Sequence, residues 1–319
     1  MILYIFIDGV GYGSDDPETN PFAKYAKGFF LPLADRSGKK KGQWQHASYI
    51  ETDASMGVSG LPQSATGQTA IWTGIPAPNI LNRHISGFPT YTLKKVIKEY
   101  SILKILKEHG YRCSFLNCYS EQYKEFIKTH PRHLSASTLV QMASEQALKT
   151  LEDLREGRGL YMDITHEYIK KFAGKHLEAD DPILQARDPY EQGKLAVQIA
   201  REYDLSIYEF FFTDKIGHSQ NWKNAAKVIE TVETFMEGVV DTLVIDKEQL
   251  IVTSDHGNLE DLSVGTHTKN KVPTFLLGQY SSFFAKRIHT LADITPSIYE
   301  LFSIAIELDS EQFIPKAEV

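Results

Sequence analysis

The sequence of 319 residues predicts an α/β fold in which a mostly parallel central sheet is flanked by helices and carries a small inserted cap. Two observations predict the layered core. Short apolar runs alternate with helical patterns along the chain, and several of these runs end at an acid. A third observation predicts the cap, because no strong strand pattern occurs between about residues 120 and 190.

The first half of the predicted core contains two strands and a helix. Residues 2–7, "ILYIFI", form a short β-rich apolar run that ends in "DGVGYG", as expected of a fully buried strand. Residues 60–74 begin as a loop rich in Gly, Ser and Thr and then become helical. Residues 93–109 carry apolar side chains at helical spacing, and Gly110 ends them. The next strand is predicted at "YRCSFLNCY", residues 111–119.

The second half of the predicted core follows the cap and resumes the alternation. We expect helices at 190–202, 222–244 and 291–302, and strands at 205–214, 249–254 and 272–278. The predicted core is therefore discontinuous, comprising residues 1–80 and 205–319. Residues 81–204 are expected to supply connecting strands and helices of the core together with the cap, at about 120–190.

Composition excludes several classes of function. A net charge of −7 and a pI near 5.9 argue against nucleic acid or an anionic membrane as the main partner. The first residues lack a basic segment, and no apolar stretch reaches the length of a membrane span, so neither a signal peptide nor a transmembrane helix is expected. Cys113 and Cys118 are predicted to be reduced, half-buried thiols without zinc. We expect a cytoplasmic location.

Three acids stand at the ends of predicted strands. Asp8 follows the first strand, Asp214 follows "EFFFT" and Asp255 follows "LIVTS". In a parallel sheet the carboxyl ends of the strands share one edge, where sites form. Three carboxylates at that edge would repel one another unless a cation lay between them. Solvated turn acids are the alternative for each residue taken singly.

Three histidines accompany these acids. His218 follows Asp214 by four residues, so one helical turn would place both on one side. His256 follows Asp255 directly, and His267 comes after a short loop, before the last strand. A lone histidine is more often a surface or core residue than a ligand. The combination with the acids indicates a metal site, and mixed carboxylate and imidazole ligands suit Zn²⁺ or Mn²⁺ better than Ca²⁺.

The hydroxyl-rich stretch "SATGQTAIWTG" offers a nucleophile. Its Ser and Thr residues could simply cap a helix. Beside two metal ions, however, Thr69 becomes a candidate nucleophile, because a metal stabilises an alkoxide as it lowers the pKa of bound water. Two divalent ions would be balanced by the three aspartates and a deprotonated Thr69, leaving open coordination positions for a phosphoryl oxygen.

Six motifs together resemble a known family. They are "DGVGYG" at 8–13, "GLPQSATGQT" at 60–69, "TDKIGH" at 213–218, "SDHGNLED" at 254–261, "THTKNKVP" at 266–273 and "LADITPS" at 291–297. In this order they resemble the alkaline phosphatase superfamily, and within it the branch of cofactor-independent phosphoglycerate mutases and phosphopentomutases. The resemblance implies an alkaline phosphatase-like fold whose discontinuous core binds metal and transfers phosphoryl groups.

The resemblance also implies a ligand set of two divalent ions per chain, Mn²⁺ or Zn²⁺. One ion would be held by Asp214, His218 and His267. The other would be held by Asp8, Asp255, His256 and the nucleophile Thr69. The mutases usually have serine in the nucleophile position, whereas other members of the superfamily use threonine.

Residues that contact the substrate are harder to assign. In mutases the cap carries arginines that retain the product, and the arginines available here are Arg83, Arg112, Arg132, Arg155, Arg158 and Arg187. Two runs, "NRHISGFP" and "GRGLYMDITHEY", could turn His84 and Arg158 toward the substrate. Gln68, beside Thr69, is a further candidate. Ordinary loops with helix caps are the alternative for both runs.

These patterns predict a metal-dependent phosphotransferase acting on a small phosphate ester. In-line attack by Thr69 would give a phosphothreonine intermediate. Water would then take the phosphoryl group in a phosphohydrolase, which we favour because a small cap has little surface for retaining a product. A phosphoglycerate or phosphopentose mutase is the alternative. The second alternative is a non-catalytic binding protein stabilised by metal, against which the intact set of ligand positions argues.

Overall fold

The fold is built on one six-stranded sheet. A computed structural model describes residues 1–34, 44, 46–172 and 177–314, so short pieces of the predicted core and cap (35–43, 45, 173–176 and 315–319) lie outside the described residues. The strands are β1 Ile2–Ile7, β2 Ser48–Thr52, β3 Cys113–Phe115, β4 Leu205–Phe210, β5 Gln249–Thr253 and β6 Val272–Gly278. Their order across the sheet is β2-β6-β5-β1-β4-β3. The mostly parallel sheet predicted from the sequence is confirmed, since β3, β4, β1 and β5 pair in parallel and only β6 runs against its neighbours.

Fourteen α-helices are found in the part of the chain that the structure describes. Those before the insertion are α1 Pro21–Tyr25, α2 Ser64–Thr73, α3 Ala77–Leu81, α4 Tyr91–Tyr100 and α5 Ile102–Glu108. The insertion contains α6 Glu121–Thr129, α7 Ala136–Ala143, α8 Leu151–Arg155 and α9 Ile169–Phe172. The rest are α10 Pro189–Ala200, α11 Phe212–Ser219, α12 Trp222–Thr242, α13 Ser281–Ala285 and α14 Ile294–Leu301. None of the described helices is long and apolar enough to cross a membrane.

Alternate residues of β1 face opposite cores. Leu3, Ile5 and Ile7 pack with the apolar faces of α10 and α12. Tyr4 and Phe6 point to the other side, where α2, α4, α5, α7 and α14 cover the sheet. The Trp72 ring of α2 lies 5.2 Å from the Tyr4 ring and 5.5 Å from the Phe6 ring. Burial on both faces explains why β1 is a continuous apolar run, and it fixes α2 against the carboxyl half of the sheet.

Three details differ from the sequence predictions. The helix expected at 93–109 is two helices, because Ser101 adopts an extended conformation and its hydroxyl caps α5 at the Lys104 amide. Strand β6 is antiparallel to β5. Strand β2, which has no apolar pattern, was not predicted; it lies at the edge of the sheet and pairs only with β6. Among the described residues of 120–190 no strand is present, whereas the division into core and cap stays a prediction.

Candidate metal centre

The sheet order brings the three strand-end acids together. Strand β1 lies between β4 and β5 and is parallel to both, so the carboxyl ends of the three strands are adjacent. Asp8 and Asp255 follow the ends of β1 and β5, and Asp214 lies in the first turn of α11, just after β4. Residues far apart in sequence therefore form one cluster at the edge where sites form in such sheets.

One half of the cluster consists of Asp214, His218 and His267. Asp214 Oδ1 lies 3.5 Å from Nε2 of each histidine, and the two Nε2 atoms are 3.1 Å apart. Each ring is oriented by its other nitrogen, because His218 Nδ1 donates to the Gly265 carbonyl and His267 Nδ1 to the Pro62 carbonyl, both at 3.0 Å. Such bonds leave Nε2 free to act as a ligand.

The other half consists of Asp8, Asp255 and His256, all buried. His256 Nε2 lies 3.4 Å from Asp8 Oδ1 and 3.6 Å from Asp255 Oδ2. The amide of Gln68 reaches both acids, at 3.5 Å from Asp8 Oδ2 and 3.2 Å from Asp255 Oδ2. The two halves meet at the rings of His256 and His267, which stack with their centroids 3.6 Å apart.

The electrostatics of the two halves are opposite. Burial, together with the charges of Asp255 and Asp214, raises the pKa of Asp8 well above its usual value. Burial also acts to raise the pKa of Asp214, but hydrogen bonding to His267 and the neighbouring imidazoles outweigh it and lower that pKa to about 2. Burial lowers the pKa of His256, whereas hydrogen bonding to Asp214 overcomes burial and raises that of His267.

Both halves fit a divalent ion. Ligand atoms about 2.1 Å from a tetrahedral ion are about 3.4 Å from one another, which is close to the separations in each half. The buried Asp8 Oδ1 has no hydrogen-bond partner among the described residues, although a buried carboxylate oxygen normally has one. An unpaired buried oxygen amid like charges is the environment that a bound cation would satisfy.

Thr69, the predicted nucleophile, has its hydroxyl bonded within its own helix. Thr69 lies in the second turn of α2, is fully buried, and its hydroxyl donates to the Ala65 carbonyl at 2.6 Å. The hydroxyl that reaches the cluster belongs to Ser64, whose Oγ is 2.9 Å from His256 Nε2. Ser64 is the first residue of α2 and is only partly buried. Ser64 and Gln68 are four residues apart and share the face of α2 that meets the strand ends, whereas Thr69 lies about 100° further round the helix and faces the core.

The predicted substrate contacts are not all brought to the cluster. Gln68 touches two of the acids and is buried, so it lies among the ligands rather than on an open surface. His84 is partly buried with Nε2 3.2 Å from the Val58 carbonyl, in a loop that returns to α2 where the Ala65 amide donates to the Ile85 carbonyl. Arg158 pairs with acids of its own segment, Asp153 and Glu156, and is not positioned by contact with any ligand residue.

Comparison with known proteins agrees with this geometry. The family described as Metalloenzyme superfamily matches residues 184–306, the part of the chain that holds Asp214, His218, Asp255, His256 and His267. Residues 184–306 are therefore similar to the metalloenzyme superfamily. The matched segment does not include Asp8 or Ser64, which the sheet and α2 bring to the same cluster.

Curated proteins similar to this chain include two bacterial enzymes named as 2,3-bisphosphoglycerate-independent phosphoglycerate mutase. The chain is 29% identical over 116 residues to that of Methylobacillus flagellatus and 31% identical over 117 residues to that of Thiobacillus denitrificans. Each match covers 34% of this chain. The chain matches only 22% and 23% of the length of these relatives.

Solved structures of other proteins share this fold. The PH0037 protein from Pyrococcus horikoshii has a TM-score of 0.54 and 14% identity, with 96% of this chain and 97% of that chain covered. A variant of alkaline phosphatase from the Antarctic bacterium TAB5 has a TM-score of 0.50 and 14% identity, with 96% and 98% covered. The alkaline phosphatase-like fold predicted from the sequence motifs is confirmed.

Several residues that shape the candidate metal centre were not predicted from the sequence. Asn258 donates to Asp214 Oδ1 at 2.7 Å, and the Thr213 hydroxyl donates to the Asp8 carbonyl at 2.5 Å. Ser64 was overlooked as well. A signal for Ser64 was present in the sequence. The mutases usually have serine in the nucleophile position, and "QSATGQT" contains a serine in the same segment as Thr69.

Proposed function

We propose that this protein transfers the phosphoryl group of a small phosphate ester through a phosphoserine at Ser64, with two bound divalent ions, Mn²⁺ or Zn²⁺. The observation that carries the proposal is the 2.9 Å separation of Ser64 Oγ from His256 Nε2, inside the cluster of acids and histidines. A hydroxyl next to candidate metal ligands is what nucleophilic catalysis requires, and a purely structural metal site has no need of it.

Each half of the cluster has a role in the proposed reaction. Asp214, His218 and His267 would hold one ion, and Asp8, Asp255 and His256 would hold the other beside Ser64. Divalent ions bound there would lower the pKa of the Ser64 hydroxyl and neutralise charge on the phosphoryl oxygens. Gln68, by donating to both Asp8 and Asp255, holds the two carboxylates apart and directs their remaining oxygens toward the ion.

The covalent step takes place at Ser64. Its Oγ loses its proton and forms a bond to phosphorus, while the bond between phosphorus and the ester oxygen breaks on the opposite side. The ester oxygen leaves and takes up a proton from solvent. Because Ser64 begins α2, the positive end of the helix dipole lies at the position where the phosphoryl group would be held.

Water is the acceptor we favour for the second step, which makes the protein a phosphohydrolase. Retaining a product for rephosphorylation would require cations around it, and two arginines of the insertion are already paired with acids. Arg155 pairs with Asp181 and Glu152, and Arg158 pairs with Asp153 and Glu156. Arginines already neutralised by neighbouring acids have little charge to offer a second phosphate.

A phosphomutase is the second candidate. The observation that favours it is the naming of the curated relatives as phosphoglycerate mutases, although the chain spans less than a quarter of their length. The small insertion is the reason for ranking it second. A non-catalytic protein stabilised by metal is the third candidate.

Phosphorus NMR of the protein with Mn²⁺ and a panel of phosphorylated sugars and glycerates distinguishes these candidates. We expect inorganic phosphate to accumulate. Conversion to an isomeric ester without free phosphate would establish a mutase instead, and bound metal without any turnover on the panel would favour the non-catalytic protein.

A pair of hydroxyl variants tests the nucleophile. Ser64→Ala is expected to abolish turnover and phosphoenzyme formation while metal remains bound. Thr69→Val is the matched control, because it removes another hydroxyl of the same helix with little change in volume and is expected to retain most activity. The opposite result, an inactive Thr69→Val and an active Ser64→Ala, would restore Thr69 as the nucleophile.

A cytoplasmic location and a discontinuous core, residues 1–80 and 205–319, complete the proposal. Both cysteines are free and buried, and burial raises the pKa of each thiol to about 12, which keeps them protonated and unreactive.

The strands that present the ligands lie within the proposed core ranges. The partner we propose is the small phosphate ester itself, without nucleic acid or membrane.

A further inference from the structure

Glu260 is a buried carboxylate for which the proposed reaction has no direct use. It is 1% exposed and lies in the loop after β5. Oε2 accepts hydrogen bonds from the amides of Gly11, at 2.9 Å, and Asn258, at 2.8 Å. Oε1 accepts from the Thr268 hydroxyl, at 2.5 Å, and from the Asn270 side chain, at 3.0 Å. Four neutral donors thus stabilise one buried negative charge.

The donors come from three loops, each of which carries predicted metal ligands. Gly11 lies in the loop that begins with Asp8, and Thr268 follows His267 directly. Asn258 belongs, like Glu260 itself, to the loop of Asp255 and His256. We propose that Glu260 is a positioning residue of the metal centre, holding these loops at the spacing that the ligands require. The inference rests on the proposed function, because it presupposes that the cluster binds metal.

Two glycines show how closely the loops approach this carboxylate. A Cβ atom at Gly11 or at Gly257 would collide with Glu260 Oε1. Neither glycine has a positive φ, so close approach rather than backbone conformation is the reason for glycine at these positions. Gly257 also pairs with Thr268 in an isolated antiparallel bridge. The loops of His256 and His267 are therefore joined both directly and through Glu260.

The chemistry of the four contacts requires a carboxylate. Every partner presents an N–H or O–H group, so both oxygens of Glu260 must accept. A glutamine would replace one oxygen by an NH₂ group that cannot accept, so the Thr268 hydroxyl and the Asn270 side-chain amide would have to turn acceptor atoms toward it and give up their present geometry. The expected consequence is displacement of one loop from another, with loss of metal affinity greater than loss of fold.

Glu233 provides a matched control for this inference. It is a buried glutamate on α12 whose carboxylate also accepts from backbone amides, those of Lys27, Gly28 and Phe30. The loop that it holds carries none of the predicted ligands. Glu233→Gln should therefore weaken the fold without changing metal binding. Glu260→Gln should weaken metal binding more than it weakens the fold.

The experiment compares the dissociation constant for Mn²⁺, by titration of the metal-free full chain, and the unfolding transition in EDTA. We expect Glu260→Gln to weaken Mn²⁺ binding about 10- to 100-fold, the range for loss of an outer-sphere support, and Glu233→Gln to change it less than about twofold. Equal Mn²⁺ affinity in the wild-type protein and Glu260→Gln, or an equal loss in both variants, would overturn the inference.

Two further results keep the inference distinct from the proposed function. A wild-type protein that binds no Mn²⁺ or Zn²⁺ would overturn the metal centre itself, and this inference with it. Metal binding that survives Glu260→Gln unchanged would overturn only the role of Glu260. Thr268→Val removes a single donor and leaves the carboxylate in place, so it tests the same role if Glu260→Gln does not fold; an unchanged Mn²⁺ affinity in Thr268→Val would then contradict the inference.

Discussion

The two halves of the ligand cluster differ in how their charge is balanced before any ion binds. In the half formed by Asp214, His218 and His267, the carboxylate faces two imidazoles and the Asn258 amide, and the pKa of Asp214 is lowered to about 2, against the opposing effect of burial. In the half formed by Asp8, Asp255 and His256, burial and neighbouring carboxylates raise the pKa of Asp8. The acid of the first half is already balanced without metal, whereas the buried carboxylates of the second would be stabilised by a cation.

The two halves therefore serve different purposes, one in the fold of the metal-free protein and the other in binding a cation. The Asp214 half contributes to the fold of the metal-free protein, because its acid is already hydrogen-bonded. The Asp8 half costs stability in the metal-free protein and recovers it when a cation arrives. The hydroxyl of Ser64 belongs to the second half, where the need for positive charge is greatest.

The largest expected effect is on turnover, and it tests whether both halves are needed. Asp8→Asn and Asp214→Asn should each reduce kcat/KM for a phosphate ester by more than about 100-fold. Each substitution alters a residue that would bind the ion directly, and loss of a direct ligand costs more than the roughly 10- to 100-fold expected for loss of a residue that only supports a ligand. Steady-state kinetics at saturating Mn²⁺ measures this. Retained activity in either variant would show that one ion is enough and would remove that half from the mechanism.

Metal removal should have the next largest effect. An ion present at about 100 times its dissociation constant stabilises the folded state by about 2.7 kcal/mol. Denaturation of the wild-type protein with and without EDTA should show a loss of this order. In Asp8→Asn the difference should shrink, because the half that depends most on the cation is altered; an undiminished difference would contradict the comparison.

Acid should act on the two halves in opposite directions in the metal-free protein. Asp214 has a folded pKa of about 2 against an ordinary value of 3.8, so its contribution, about 2 kcal/mol, is present above pH 4 and lost as pH falls toward 2. Asp8 has a raised pKa, so its cost appears as pH rises above 4. Denaturation in EDTA from pH 3 to pH 8 should therefore show Asp8→Asn gaining stability over wild type as pH rises.

The reciprocal variant checks the sign for Asp214. Asp214→Asn should be less stable than the wild-type protein at pH 7, and the gap should close as pH falls toward 2. A gap that stayed constant with pH would mean that the destabilisation comes from packing rather than from charge.

The smallest expected effect concerns the side chain of Asn258, which donates to Asp214 in the first half of the cluster. Asn258→Ala removes the 2.7 Å hydrogen bond to Asp214 Oδ1 and should cost about 1–2 kcal/mol of unfolding free energy in EDTA. Asn224→Ala, on the exposed surface of α12, is the control and should change it by less than about 0.5 kcal/mol. Equal effects of the two substitutions would show that the contact contributes nothing specific.

The parts of the molecule that could be predicted from the sequence are those whose signal is local. Strands β1, β4 and β5 are short apolar runs, each followed by an acid, and their parallel pairing then placed Asp8, Asp214 and Asp255 together. Strand β2 escaped because its side chains are partly exposed and its pairing with β6 is visible only in three dimensions.

The choice between the two hydroxyls of the site has a related origin. Ser64 and Thr69 share one loop-to-helix segment, and the sequence does not give the residue at which the helix begins. That starting point decides which hydroxyl faces the strand ends. Glu260 was not singled out because its role depends on donors from three loops, and no single segment of sequence contains them.

The placement of β1 between β4 and β5 also bears on how the protein matures. Asp8 is separated from its hydrogen-bond partner Thr213 by 205 residues, and Asp255 lies further along the chain. The complete ligand cluster can therefore form only after these distant strands have paired, and contacts between residues so far apart in sequence form slowly. The proposed cation site beside Asp8 is then completed late in folding.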